Sequence, residues 1–188
     1  GIAYVSANAG IEVVLLDRDV PTAEKGKNYT SKVQSKLVEK GKLTQEKADA
    51  VLARITPTDD FSTLEGCDLI IEAVFEDTVI KADTTRKAEA AIPESTVFAS
   101  NTSTLPISRL AQASRRPEQF IGIHFFSPVD RMDLVEVIMG KQTAPETLAK
   151  ALDYIAQLRK TPIVVNDSRG FYTSRVFQTL IHEGGAMI

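Results

Sequence analysis

From Ile11 to Val165, short apolar runs rich in β-branched residues alternate with longer stretches of helical spacing, and that alternation constrains the fold more than any other feature. IEVVLL at 11–16, ITPT at 55–58, LIIEAV at 69–74, TVFAS at 96–100, FIGIHFF at 120–126, LVEVIM at 134–139 and TPIVV at 161–165 read as strands. The 69–74 run reads as a strand buried on both faces. Helices are predicted over Gly1–Ala9, closed by Gly10, and over 78–91 and 145–159. The lysine-rich segment 25–55 predicts two helices broken near Gly41, with Thr44 capping the second. Alternation through residue 120 predicts an α/β chain built on a doubly wound, mostly parallel sheet.

A chain of 188 residues, 43% hydrophobic and 25% charged, has room for one well-buried domain and part of another. No apolar run approaches the roughly 20 residues of a membrane span, and the start lacks a signal peptide's basic flank and apolar core. A cytoplasmic setting without a membrane span is therefore expected. The single cysteine, Cys67, excludes an internal disulfide and a cysteine-rich metal site, and fits a reducing compartment. A net charge of -3 with mixed signs carries no nucleic-acid signal.

The first 19 residues run helix, turn, strand, acid. In a dinucleotide-binding βαβ unit this order follows a first strand and a G-x-G-x-x-G loop, and the acid binds the adenosine ribose. Here those glycines are expected before residue 1. The stretch alone equally fits an ordinary strand closed by a solvated acid, Asp17.

Of two histidines, His124 and His182, the first stands near the C-terminal end of a predicted strand, where open α/β sheets place ligands. Glu136 lies on the strand that returns after the SPVDRMD turn. A carboxylate bonded to one imidazole nitrogen fixes the tautomer and leaves the other nitrogen free to exchange a substrate proton. The alternative is a packed strand histidine beside an unrelated glutamate. In the SNTST loop at 100–104, Ser103 is a candidate donor to a substrate oxygen, or one of several side chains that only satisfy local backbone. No G-x-S-x-G elbow is present, and Cys67 has no evident activating base. The turn NDSRG at 166–170 is read as a boundary: a domain over 1–166, then the beginning of a helical second domain over 167–188.

DLIIEAVFED, FASNTSTLPIS, IGIHFFSPVDRMDLVEVI and NDSRGFYTSRV, in this order, resemble the NAD-binding domain of L-3-hydroxyacyl-CoA dehydrogenases over nearly the whole chain. The SPVDRMDLVEV and GFYTSRV variants look most like the dehydrogenase module of bacterial multifunctional fatty-acid β-oxidation subunits. The resemblance implies a Rossmann-type fold and oxidation of a 3-hydroxyacyl-CoA to its 3-oxo form with NAD. It makes His124 the base, Glu136 its orienter and Ser103 a substrate contact. Asp17 becomes the ribose acid, and Glu76, Lys81 and Ser127 lie on the cofactor side. A carboxylate on the ribose diol favours NAD, although neighbouring Arg18 leaves NADP open. Many relatives carry asparagine where this chain has Ser127 and Ser174, and a hydroxyl cannot present both a carbonyl and an NH2. Lys36 and Lys40 are candidates toward the CoA phosphates, outside the firm set.

The resemblance also implies a first strand and glycine-rich loop upstream, with that strand at the sheet centre between the strands headed by residues 12 and 68. On that expectation the 188-residue chain alone binds NAD poorly and turns over little substrate. The full-length protein is expected to form a homodimer or multienzyme complex with acyl-CoA as substrate. Two rival readings remain at this level: a noncatalytic dinucleotide-binding protein, and a dehydrogenase of a small hydroxy acid.

Overall fold

The computed structural model describes residues 1–187. Helix α1 (Ile2–Asn8) ends where Gly10 takes φ 92°, a left-handed turn that glycine enters without steric cost, and the chain reverses into β1 (Val13–Leu16). Asp19 opens α2 (Val20–Glu39) by accepting the Thr22 amide at 2.7 Å. Thr44 opens α3 (Gln45–Ala53) by accepting the Lys47 amide at 3.4 Å. Strand β2 (Ile55–Thr58) then pairs parallel to β1, so the predicted helical hairpin is the crossover between two parallel strands.

The larger sheet contains β3 (Leu69–Glu72), β4 (Val97–Ser100), β5 (Phe120–Phe125), β6 (Leu134–Met139) and β7 (Thr161–Asn166), side by side in chain order. Strands β3, β4 and β5 are parallel, linked through α4 (Thr78–Glu89) and the short α5 (Ile107–Leu110). Strand β6 returns antiparallel to β5, and β7 runs parallel to β6 after α6 (Pro145–Gln157). The α/β, mostly parallel architecture predicted from the alternation is therefore present, with one antiparallel junction. Among the described residues, β1 pairs only with β2 and β3 only with β4, so the two sheets are separate hydrogen-bonded ladders.

Alternate residues along the strands face two cores, as the period of two requires. Phe98, Phe120 and Ile138 pack on one face with Ala88 of α4 and Ile107 and Leu110 of α5. Val97, Ala99, Ile121, Ile123, Val135 and Val137 pack on the other with Ala151 and Ile155 of α6. Each fully buried side chain of this size contributes about 1.5–3 kcal/mol of transfer free energy. A third cluster joins Tyr4 and Ala7 of α1 to Val51 and Ile55, while Ile2 and Val5 of α1 lean on the α6 side of the large sheet. Helix α1 is thus the seam between the two sheets. The Ser6 and Tyr154 hydroxyls, 2.6 Å apart, reinforce it.

Gly122 on β5 marks a close approach: a Cβ there would stand 2.8 Å from Cδ1 of Ile107 and 2.9 Å from Cβ of Ile138. The gap lets α5 lie tightly on the sheet just below His124.

Two sequence expectations need correction. The strand expected over 69–74 stops at Glu72, because the Glu72 carboxylate turns back to accept the Val74 amide at 2.7 Å and ends the extended run. Nor is it buried on both faces: it is the edge strand, and Leu69, Ile70 and Ile71 are only half-buried.

The NDSRG turn is pinned to the large sheet. Asp167 accepts the Ile107 and Ser108 amides at 2.7 and 2.8 Å, and buried Phe171 joins the core beneath α4 and α5. Beyond it α7 (Thr173–Ala186) buries no side chain, and Val176, Phe177, Leu180 and Ile181 are exposed.

Candidate active site

A cleft of about 360 Å³ opens where the chain leaves the C-terminal ends of β3, β4 and β5. Glu76, Lys81, Asn101, Ser103, His124 and Ser127 all line it, with Val74 and Phe126 as apolar wall. Six of the seven residues singled out from the sequence therefore converge. Five of them, Glu76, Lys81, Ser103, His124 and Ser127, stand in the cleft itself, and Glu136 stands immediately behind His124.

His124 and Glu136 are directly opposite each other in the antiparallel β5–β6 register, which puts both side chains on one face. That face is the one carrying Phe120 and Ile138. His124 Nδ1 lies 2.8 Å from Glu136 Oε2, and neither residue is more than 7% exposed. The other carboxylate oxygen, Oε1, accepts the amides of Tyr172 and Thr173 at 3.1 and 2.9 Å. These are orphan donors at the start of α7, where a helix favours negative charge. Burial pushes the Glu136 carboxyl up, but the Thr173 amide and the His124 ring outweigh it and hold the group below its ordinary value. A carboxylate that stays ionised beside Nδ1 holds the ring with its proton on Nδ1 and keeps Nε2 as the acceptor. Phe126 packs against the imidazole with ring centroids 4.6 Å apart, and Phe171 lies 6.2 Å away, which limits ring rotation.

Glu76 organises the loop after β4. Its Oε1 accepts the Thr102 hydroxyl at 2.5 Å and the amides of Ser103 and Thr104 at 3.1 Å each. Burial raises its carboxyl, while the Thr102 hydroxyl, the Lys81 charge and the two amides bring it below the ordinary value. Asn101 in the same loop accepts the Phe125 amide through Oδ1 at 2.8 Å, tying the loop to β5 just past the histidine. Lys81 is 2% exposed and donates to Glu72 Oε1 at 2.8 Å and to the Val74 carbonyl at 3.3 Å, with Glu76 Oε2 at 3.4 Å. An ammonium held this way reaches the cleft as its wall.

Asp17 lies outside the cleft, exposed just past the end of β1, where its amide donates to the Thr58 carbonyl at 3.1 Å and its carboxylate accepts the Arg18 amide at 2.8 Å. Arg18 itself pairs with Asp19 at 3.3 Å. Lys36 and Lys40 are exposed on and just after α2, Ser174 is half-buried in the first turn of α7, and His182 is exposed on α7 away from the cleft. Burial and the Asp68 charge push the Cys67 thiol up, away from nucleophilic use. Among the described residues no cluster of three metal-ligating side chains exists, and no helix is long and apolar enough to cross a membrane. Sequence reasoning missed Glu72 and the two α7 amides behind Glu136, and it took Asn101 and Thr102 only as part of the polar SNTST loop, with no separate role. A glutamate inside an apolar strand run was the available signal for Glu72.

The family model described as 3-hydroxyacyl-CoA dehydrogenase, NAD binding domain, matches residues 1–168. The chain belongs to this family. Among solved structures of the family, (S)-3-hydroxybutyryl-CoA dehydrogenase PaaH1 from Ralstonia eutropha is 34% identical at a TM-score of 0.95, over 100% of this chain and 68% of its own. M. tuberculosis FadB2 is 31% identical at a TM-score of 0.93, over 99% and 66%. The dehydrogenase part of multifunctional enzyme 1 from C. elegans is 30% identical at a TM-score of 0.81, over 96% and 40%. The chain thus spans about two thirds of the first two structures and less than half of the third. As a family member it is an NAD-binding domain of Rossmann type. The residues present fit that cofactor. The cleft offers hydroxyl and amide groups beside a histidine, and Asp17 past the end of β1 presents an exposed carboxylate of the kind a ribose diol would take.

Proposed function

We propose that the full-length protein oxidises the 3-hydroxyl of an L-3-hydroxyacyl-CoA to the 3-oxoacyl-CoA with NAD, as a step of fatty-acid β-oxidation in a reducing, cytoplasmic setting. The observation that carries this reading is the buried His124–Glu136 pair, 2.8 Å apart, opening on the same cleft as Ser103. His124 Nε2 takes the proton of the 3-hydroxyl as the C3–H bond breaks, and Glu136 stabilises the imidazolium that results. When bound, NAD supplies the acceptor for the C3 hydride. Ser103 donates to the substrate oxygen and holds it within reach of His124, while Glu76 keeps the Ser103 loop in place. Asp17 receives the ribose hydroxyls, and Lys81 and Ser127 complete the cofactor side of the cleft. The acyl-CoA class is supported by the likeness to PaaH1, an (S)-3-hydroxybutyryl-CoA dehydrogenase, and by the lysines exposed along α2. The match to part of a multifunctional enzyme supports assembly into a multienzyme complex or a homodimer of the full-length protein.

In the full-length protein, His124→Ala should lower kcat for NADH formation from (S)-3-hydroxybutyryl-CoA by about 10²–10⁴. NAD affinity measured by calorimetry should stay within about twofold, because His124 supplies proton transfer rather than cofactor binding. Turnover retained in that variant defeats the assignment of the base. Turnover of free 3-hydroxy acids as fast as of the thioester defeats the substrate class.

A further inference from the structure

Five residues beneath the cleft close a ring of hydrogen bonds and ion pairs, four links through side chains and one through the Thr102 amide. Glu72 Oε1 accepts from Lys81 Nζ at 2.8 Å, and Lys81 Nζ faces Glu76 Oε2 at 3.4 Å. Glu76 Oε1 accepts the Thr102 hydroxyl at 2.5 Å, and the Thr102 amide donates to Ser100 Oγ at 3.3 Å. Ser100 then donates back to Glu72 Oε2 at 2.8 Å. Four of the five are nearly sealed from solvent: Ser100 is 0% exposed, Thr102 1%, Lys81 2% and Glu72 4%. Only Glu76, with 38% of its side chain accessible, reaches the surface of the ring.

A buried ion pair contributes little net stability, because desolvation of the two charges offsets their attraction. Two carboxylates around one ammonium are dearer still, so apolar residues would serve a purely structural purpose as well. What the ring does instead is join the β3–α4 turn to the β4 loop through groups with no slack. The product of that joining is the position of Ser103, which lines the cleft and whose amide and hydroxyl lie on Glu76 Oε1 at 3.1 and 3.4 Å. Resting on the dehydrogenase reading above, we infer that Glu72, Ser100 and Thr102 are positioning residues. They never touch substrate, and they set the distance between Ser103 and His124 by closing this ring.

The test uses Glu72→Gln and Thr102→Val, each alone and combined with Ser103→Ala, in the full-length protein. Glu72→Gln keeps the shape of the side chain and removes its charge, Thr102→Val removes one hydroxyl, and Thr102→Ser restores it. Amide hydrogen exchange at Ser103 and Thr104 should accelerate at least about tenfold in both variants while α6 keeps its protection, and Thr102→Ser should behave as the native protein. For the 3-hydroxyacyl-CoA, kcat/KM should fall at least about tenfold in each single variant and fall no further once Ser103 is already alanine. Unchanged exchange overturns the inference, and so do losses that add to that of Ser103→Ala. Accelerated exchange in both variants, where the native protein itself shows no dehydrogenase activity, leaves the ring as the restraint on the loop and removes the proposed reaction instead.

Discussion

Glu136 lies within β6 with no exposed surface and three hydrogen-bond donors fixed around it, whereas Asp17 lies past the end of β1 in open solvent. Both acids belong to short ladders in one α/β chain. Strand β5 is buried at every position, and β6 along its four central residues; β1 is only half-buried, and the β1–β2 pair has a small core of its own. In the first pair packing sets the geometry of the acid before any ligand arrives. In the second the acid is free to be claimed by a ligand, and its solvation must be given up at that moment. The proton transfer proposed for His124 needs the first arrangement, since a reacting group misplaced by about 1 Å loses much of its effect. Recognition of a ribose diol tolerates the second.

Breaking the buried side of this comparison should have the largest effect. Glu136→Ala leaves Nδ1 of His124 and the amides of Tyr172 and Thr173 without their acceptor. We expect kcat to fall by about 10² or more and folding stability to drop by about 1–3 kcal/mol, read by steady-state kinetics and urea denaturation. Asp17→Ala should separate the two quantities. NAD affinity falls by about 10–100-fold, as for loss of a charge-assisted hydrogen bond, while stability changes by no more than about 0.5 kcal/mol. A large loss of stability there would erase the contrast between the acids.

The smallest effect is a slope. The carboxyls of Glu136 and Glu76 both sit below their ordinary values in the folded chain. Their ionisation therefore contributes stability that is complete above the unfolded value of about 4.3 and declines as pH falls through the lower folded values. Denaturation curves between neutral pH and about 3 should show this loss, and Glu136→Gln should flatten it, because glutamine has no proton to take up. An unchanged slope would sharpen the comparison differently, by assigning the acid sensitivity to Glu76 at the rim.

The alternation of runs was enough to read the element order, because apolar spacing reports local structure and burial together. The C-terminal end of β3 was misread for a reason visible at Glu72. A carboxylate in an apolar run looks like an interruption to be tolerated, yet here it is satisfied by Lys81, Ser100 and the Val74 amide, contacts made by groups far apart or turned back along the chain. His124, Glu136 and Ser103 were legible as residue types at the right ends of strands, and the family resemblance chose among their possible roles. The amides of Tyr172 and Thr173 had no signature at all, since every residue but proline carries the same N–H.

By itself, then, the sequence determined which segments are strands and helices, which residues have the chemistry for a base, an orienter and a hydroxyl donor, and to which family the chain belongs. Tertiary structure alone decided that residues 124 and 136 stand opposite one another on one face, that the start of α7 holds the second carboxylate oxygen, and that Lys81 is held in a buried ring at the cleft wall. The division follows from range: hydrophobic period and side-chain type are properties of neighbours along the chain, whereas register, burial of charge and the pairing of a backbone amide exist only once distant segments have packed.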